Sequence, residues 1–258
     1  MQTLDAPDGT TIAYERTGAG PPLVVVMGAL CDRLSTASLS PLLTPDFTVY
    51  EYDRRGRGAS TEVGEYSVQR EVDDLAALLA VAGDPAFVFG HSSGGCLALE
   101  AAARGVPMAG LAVYEPPYTA GDDGTGGSAE MLTAIQRLLD AGDRDGAVTA
   151  FVQGTGVPAD RVAAMRNEPF WPRMAQLAPT LPHDLILADG GRVPGDRLSR
   201  ITVDTVAVSG GTSPAWAARS CAAVAAAIPG ARHEVLAGQS HAAANDVLAP
   251  WLRAHFLT

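Results

Sequence analysis

Residues 86–95, AFVFGHSSGG, decide how this chain is read. The run 86–90 has the length and the aromatic and β-branched content of a buried strand, and the small-residue stretch from Ser93 to Arg104 has the texture of a helix. Between them Gly90-His91-Ser92-Ser93-Gly94 fits the pattern G-x-S-x-G. A serine exposed on a sharp strand-to-helix turn needs small residues two positions before and after it, because the turn brings those backbones together. Ser92 meets that condition, whereas Ser93 would need glycine at position 91, which is histidine. Ser92 is the candidate nucleophile, set against the plainer alternative of a structural turn.

The surroundings repeat the same rhythm. TTIAYE around Thr11 to Glu15 reads as one strand of an opening hairpin, after the turn signal Pro7-Asp8-Gly9. PLVVVMG (22–28) is a continuous apolar run of the kind buried on both faces of a sheet, and FTVYEYD (47–53) is the next strand candidate. VQREVDDLAALLAVAG (68–83) has helical spacing and a glycine stop. LAVYE (111–115) is a further strand, and from about Pro116 to Arg200 helical patterns broken by Gly and Pro take over. Strand-helix alternation resumes with TVDTVAVSG (202–210), the alanine-rich run 214–230, RHEVLAG (232–238) and a final helix near 243–256. The predicted fold is α/β, a mostly parallel twisted sheet flanked by helices. Residues 1–115 and 201–258 form its core, and 116–200 form a helical cap inserted into it.

Composition narrows the function classes. The chain has 258 residues, 47% of them hydrophobic and 18% charged, which is a balance able to build a core. Its net charge of −11 argues against nucleic acid or an anionic membrane surface as a partner. Cys31, Cys96 and Cys221 are odd in number and lack CxxC spacing, so neither a disulfide framework nor a zinc site is indicated. With no signal-peptide pattern and no run of some 18 apolar residues, a soluble cytoplasmic protein is expected. The sequence does not speak to oligomeric state.

A serine hydroxyl needs a base, and the base needs an orienting acceptor. Of the five histidines, His241 is best placed, in Gly238-Gln239-Ser240-His241 between the last strand and the last helix. His91 is assigned to packing or support beside the serine. His183, His233 and His255 read as ordinary surface or packing residues.

Taken together these motifs resemble the α/β-hydrolase family over nearly the whole chain. PLVVVMGAL is similar to the family's oxyanion strand and loop, with Met27 in the place of a frequent histidine, and DRRGRGAS (53–60) is similar to its D-x-R-G-x-G-x-S loop. The resemblance gives that loop a structural role. GHSSG corresponds to the nucleophile turn, and GQSH to the loop of the catalytic histidine. The family's acid usually follows the strand that here ends VAVSGG, but that place reads Gly210-Gly211-Thr212-Ser213-Pro214, with no carboxylate. A less common arrangement takes the acid from the preceding sheet strand, which ends Val113-Tyr114-Glu115-Pro116-Pro117. This resembles the zearalenone-type lactone hydrolases, and it implies Glu115 as the third catalytic residue. Asp122 and Asp123 are the other carboxylates considered.

By the same resemblance the backbone amides of Ala29 and Ser93 form the oxyanion hole. Cys31 is read as a packing residue close to it. Phe170, Trp171, Met174, Leu177 and Leu181 supply apolar bulk in the cap, with Trp171, Met174 and Phe170 the candidates for contact with substrate. The expected function is a serine hydrolase without cofactor or metal, cleaving a small-molecule carboxylic ester or lactone through an acyl-enzyme. The alternatives are carbon–carbon bond hydrolysis, perhydrolysis or a lyase or cyclase step with the same triad, and a non-catalytic module that binds a small ligand.

Overall fold

A computed structural model describes residues 1–83, 85–118 and 127–257. Eight strands form one sheet: β1 (Gln2–Asp5), β2 (Thr11–Gly18), β3 (Pro22–Val26), β4 (Thr48–Tyr52), β5 (Phe87–His91), β6 (Gly110–Tyr114), β7 (Thr205–Gly210) and β8 (Arg232–Leu236). Their spatial order is β1-β2-β4-β3-β5-β6-β7-β8. The two pairings made by β2 are antiparallel, and all the others are parallel. Around the sheet lie α1 (Ser40–Leu43), α2 (Val68–Ala82), α3 (Ser93–Ala103), α10 (Ala215–Ala227) and α11 (Asn245–Phe256). Among the described residues between β6 and β7 run six further α-helices: α4 (Gly127–Asp140), α5 (Arg144–Gly154), α6 (Ala159–Met165), α7 (Trp171–Leu177), α8 (Leu181–Leu187) and α9 (Gly195–Leu198).

Strand side chains alternate between two apolar layers, as a period of two requires. Val24, Val26, Val88, Leu111 and Val113 face the layer covered by α2, α3 and α10. Leu23, Val25, Phe89, Ala112 and Tyr114 face the layer covered by α1 and α11. Burial on both faces explains why β3, β6 and β7 read as unbroken apolar runs in the sequence. α2 begins where the Ser67 hydroxyl accepts the Arg70 amide and ends at Gly83, whose φ of 96° suits glycine. The short helix α1 and the single turn at Arg33–Thr36 before it carry no periodicity long enough to be legible in the sequence. The α4–α9 segment has an apolar cluster of its own, built on Ile135, Val148, Val162, Trp171, Leu177 and Leu181. No helix among the described residues is long and apolar enough to cross a membrane.

From β3 the chain goes to β4 on one side and then crosses to β5 on the other. The crevice at the carboxyl ends of β3 and β5 is therefore a topological switch point, where open α/β sheets place their ligands. α3 meets β3 there almost without clearance. A Cβ built on Gly94 would lie 2.1 Å from the Val26 carbonyl oxygen, a contact with backbone that no rotamer relieves.

Gly94→Ala is accordingly expected to destabilise the protein by about 3 kcal/mol or more, because the helix start must move away from the strand. Gly195→Ala, at the first turn of α9 where a Cβ meets nothing within 4 Å, is expected to stay within about 0.5 kcal/mol of the parent. Urea midpoints of the two variants measured side by side check this contrast, and equal midpoints contradict it.

Candidate active site

Ser92 sits between the last residue of β5 and the first of α3, with φ 55° and ψ −127°. Such a conformation is strained for a residue with a Cβ and persists only where neighbours enforce it. Its amide donates to the Tyr114 carbonyl at 2.8 Å, and its carbonyl accepts the Gly95 amide at 2.8 Å. The flanking glycines are required by space: a Cβ on Gly90 would come within 2.7 Å of Gly95 Cα. A Cβ on Gly28 would come within 2.8 Å of Ser92 Cβ and 3.4 Å of its Oγ, so the chain leaving β3 runs directly along the serine. Among the described residues four non-glycines have positive φ, and three of them, Leu30, Ser92 and Glu115, lie on the loops that meet here.

Glu115 follows β6 directly, with φ 48° and no exposed surface. His241 Nδ1 lies 2.6 Å from its Oε2, and the Gly210 amide donates to Oε1 at 2.7 Å. Burial pushes the carboxyl upward, but the hydrogen bonds from His241 and the Gly210 amide outweigh it and hold Glu115 below the usual glutamate range. An ionised Glu115 must accept, so the His241 proton sits on Nδ1 and leaves Nε2 as the lone-pair nitrogen. The imidazole side chain is 41% exposed while its carboxylate partner is wholly enclosed.

The histidine loop is fixed by its neighbours. His91 Nε2 donates to the His241 carbonyl at 2.8 Å, and the two rings lie 4.8 Å apart, so His241 is held beside the residue that precedes Ser92. Tyr114 donates its hydroxyl to the Ser240 carbonyl at 2.6 Å, and Thr212 donates both its amide and its hydroxyl to Gln239. Burial, and next the neighbouring His241, push His91 down to about 4, which keeps it neutral in its supporting role. The loop after β7, where a carboxylate is absent, contributes the Gly210 amide and the Thr212 contacts. Neither was visible in the sequence, because a backbone amide leaves no mark on residue type.

The remaining candidates fall in different places. Trp171 is buried in the apolar cluster of α4–α9, its indole N–H given to Asp145, so its surface is taken up by that cluster. Phe170 is 46% exposed. Met174 is partly buried and packs on the cluster that contains Trp171, as does Ala29 of the loop after β3. Cys31 is partly exposed, and burial of its thiol raises its pKa. His183 stacks on Tyr66 at 3.9 Å, His233 bonds Ser209 and His255 stacks on Trp251. Asp122 and Asp123 lie outside the described residues. Trp216 at the start of α10, which sequence reasoning passed over, has its ring 6.1 Å from that of His241. Among the described residues no group of three or more His, Cys, Asp or Glu side chains is gathered as a metal site requires.

The loop 53–60 supports the site from below. Asp53 accepts the amides of Arg33 and Ala59, and Ser60 donates to the Asp53 carbonyl and accepts the Ala13 amide. Arg55 forms a two-bond fork with Asp74. Arg54 and Arg57 reach instead toward Asp184 of α8, some 130 residues away in sequence. No local signal announces that pairing.

With this geometry in place, the family follows. The alpha/beta hydrolase family model matches residues 14–251, and the chain belongs to that family. An alpha/beta hydrolase of known structure from Sphaerobacter thermophilus is similar over 100% of both chains, with 46% identity and a TM-score of 0.93. The enol-lactonase from Burkholderia xenovorans is similar in fold, with a TM-score of 0.73 and 19% identity over 99% of each chain. An uncharacterized hydrolase of Bacillus subtilis is 36% identical over 106 residues, which are 40% of this chain and 39% of that protein. The match thus spans well under half of that relative's length.

Two partly buried histidines give the fold a defined acid response. Burial is the main cause that pushes both His91 and His183 down to about 4. Unfolded histidine binds its proton near pH 6.5, so between about pH 6.5 and 4 the unfolded chain holds more protons than the folded one. Stability is fully present above pH 6.5 and is lost as pH falls toward 4, by about 2 kcal/mol per histidine between pH 7 and pH 5. Urea midpoints at the two pH values are expected to differ, and His91→Gln is expected to reduce the difference. A parent protein with the same midpoint at both pH values contradicts the sign.

Proposed function

We propose that the protein is a serine hydrolase that cleaves a small-molecule carboxylic ester or lactone through an acyl-enzyme. The observation that carries this reading is the 2.6 Å bond between His241 Nδ1 and the enclosed Glu115, set beside a serine on a strained turn. Glu115 orients the imidazole and stabilises its protonated form, His241 Nε2 takes the proton of Ser92, and Ser92 Oγ attacks the carbonyl carbon. The amides of Ala29 and Ser93 hold the oxygen that becomes negative. As the first residue of α3, Ser93 has an amide without an intrahelical acceptor, and the helix dipole adds its positive end at the same point. His241 then returns the proton to the leaving alcohol and activates the water that releases the acyl group.

Placing the acid after β6, as in the zearalenone-type lactone hydrolases, is part of this reading. The chemistry needs a carboxylate within bonding distance of Nδ1, and nothing in it requires that carboxylate to arrive from one particular strand. A lactone fits the same chemistry, since its ring opens by acyl transfer to the serine with the freed alcohol remaining part of the acyl group until water releases it. The fold shared with the Burkholderia enol-lactonase is consistent with that class without defining the ring.

A panel of simple esters and macrolactones tests the proposal. Ser92→Ala is expected to reduce kcat by about 10³-fold or more, and Glu115→Gln by about 10²- to 10⁴-fold with the fold intact. A folded Glu115→Gln protein with parental turnover removes the acid assignment. A parental protein inert to the whole panel removes the ester reading.

A further inference from the structure

The motif D-x-R-G-x-G-x-S leaves three positions open, and this chain fills two of them with buried arginines, Arg54 and Arg57, the third being Ala59. Together with Glu71 of α2 and Asp184 of α8 they make a cluster of two cations and two anions, each side chain no more than 2% exposed. Buried charges of this kind add little net stability compared with apolar packing, so their placement calls for another account. The atoms they touch supply it.

Arg57 Nη1 donates to the Gly28 carbonyl at 2.6 Å and to the Cys31 carbonyl at 3.1 Å. Its Nη2 meets both Asp184 oxygens at 2.8 Å. The Gly28 carbonyl and the Ala29 N–H are opposite ends of one planar peptide unit. A cation on the carbonyl therefore fixes the rotation of that plane, and it polarises the N–H at the other end. Leu30, the residue bracketed by the two clamped carbonyls, has a φ of 57° and carries its side chain into the apolar cluster of α4–α9. A residue strained in this way can relax if the segment around it turns, and a guanidinium bonded to the carbonyls on either side of that segment opposes the turn.

Asp184 also reaches the second donor. Its Oδ1 accepts the Ser93 hydroxyl at 2.7 Å and Arg54 Nη1 at 2.8 Å, and Arg54 itself is tied to Glu71. One carboxylate on α8 thus holds the two loops whose amides face the reacting oxygen. We infer that Arg57 and Asp184 are positioning residues for the oxyanion hole, through which the helical segment between β6 and β7 sets the alignment of the Ala29 and Ser93 amides. The inference rests on reading those amides as the oxyanion donors.

Arg57→Met, Arg57→Lys and Asp184→Asn test it, each followed by thermal unfolding, ester kinetics and the rate at which a fluorophosphonate labels Ser92. A misaligned donor lowers transition-state stabilisation, so Arg57→Met is expected to lower kcat and the labelling rate by about 10- to 100-fold, with KM within about threefold of the parent. Asp184→Asn should move both in the same direction, and Arg57→Lys should recover part of the loss. A matched pair of ester and thionoester separates alignment from general damage. Sulfur accepts hydrogen bonds poorly, so the parent's preference for the ester should shrink in Arg57→Met. Folded variants that keep the parental labelling rate and ester preference overturn the inference. Where Arg57→Met fails to fold, Asp184→Asn and Arg57→Lys decide by the same readouts. A parent that labels at Ser92 but hydrolyses no ester ends the ester reading, and the labelling rates still decide the clamp. A folded parent with no adduct at Ser92 overturns both.

Discussion

Backbone meets backbone where α3 starts against the end of β3, and that contact organises the rest of the site. The Val26 carbonyl occupies the space a side chain at position 94 would need, and Gly28 passes close enough to Ser92 that a methyl group would touch its Cβ. Helix start, the Ser92 turn and the loop after β3 are therefore fixed in one step, before any side chain is considered. The strain at Ser92 is sustained by this contact, by its amide bond to Tyr114 and by the hydrogen bonds of the adjoining helix turn. The two apolar layers hold the strand ends apart at a set spacing, and the glycines let the turns close within it.

The carboxylate solves a separate problem. An ion with no exposed surface is costly unless its oxygens are bonded, and Glu115 has the Gly210 amide on one oxygen and His241 on the other. With the carboxylate at the end of β6, the residues at and after the end of β7 are free for other work. They supply the Gly210 bond and, through Thr212, hold the Gln239 carbonyl two residues before His241. β6 and β7 are hydrogen-bonded neighbours, so the carboxylate reaches the histidine from β6.

Much of this was legible in the chain because it is local. The elbow needs Gly90, Ser92 and Gly94 within five residues, and buried parallel strands write themselves as apolar runs. Glu115 was legible at one remove, from an empty place after β7 together with a carboxylate at the end of the neighbouring strand. What stayed hidden is long-range or carried by backbone. Asp184 pairs with arginines some 130 residues earlier, and its own surroundings, Leu181 to Leu187, read as an ordinary short helix. Trp171 is the converse case. Its size suggested a ligand contact, while the same size makes it the natural filler of the cluster it helps to build.

The exposure of the two partners in the central pair follows from what each has to do. In the proposed reaction His241 exchanges protons with a serine, a leaving group and water in turn, which needs a reachable outer nitrogen, and its side chain is 41% exposed. Glu115 has only to favour the charged imidazole, and it does so most strongly where water cannot screen it, at zero exposure. Enclosure alone would raise its pKa and weaken it as an anion. The Gly210 amide offsets that effect at the oxygen that does not meet the histidine, so the carboxylate stays ionised while it is hidden. The uncharged loop after β7 is thus part of what makes a carboxylate on the neighbouring strand workable.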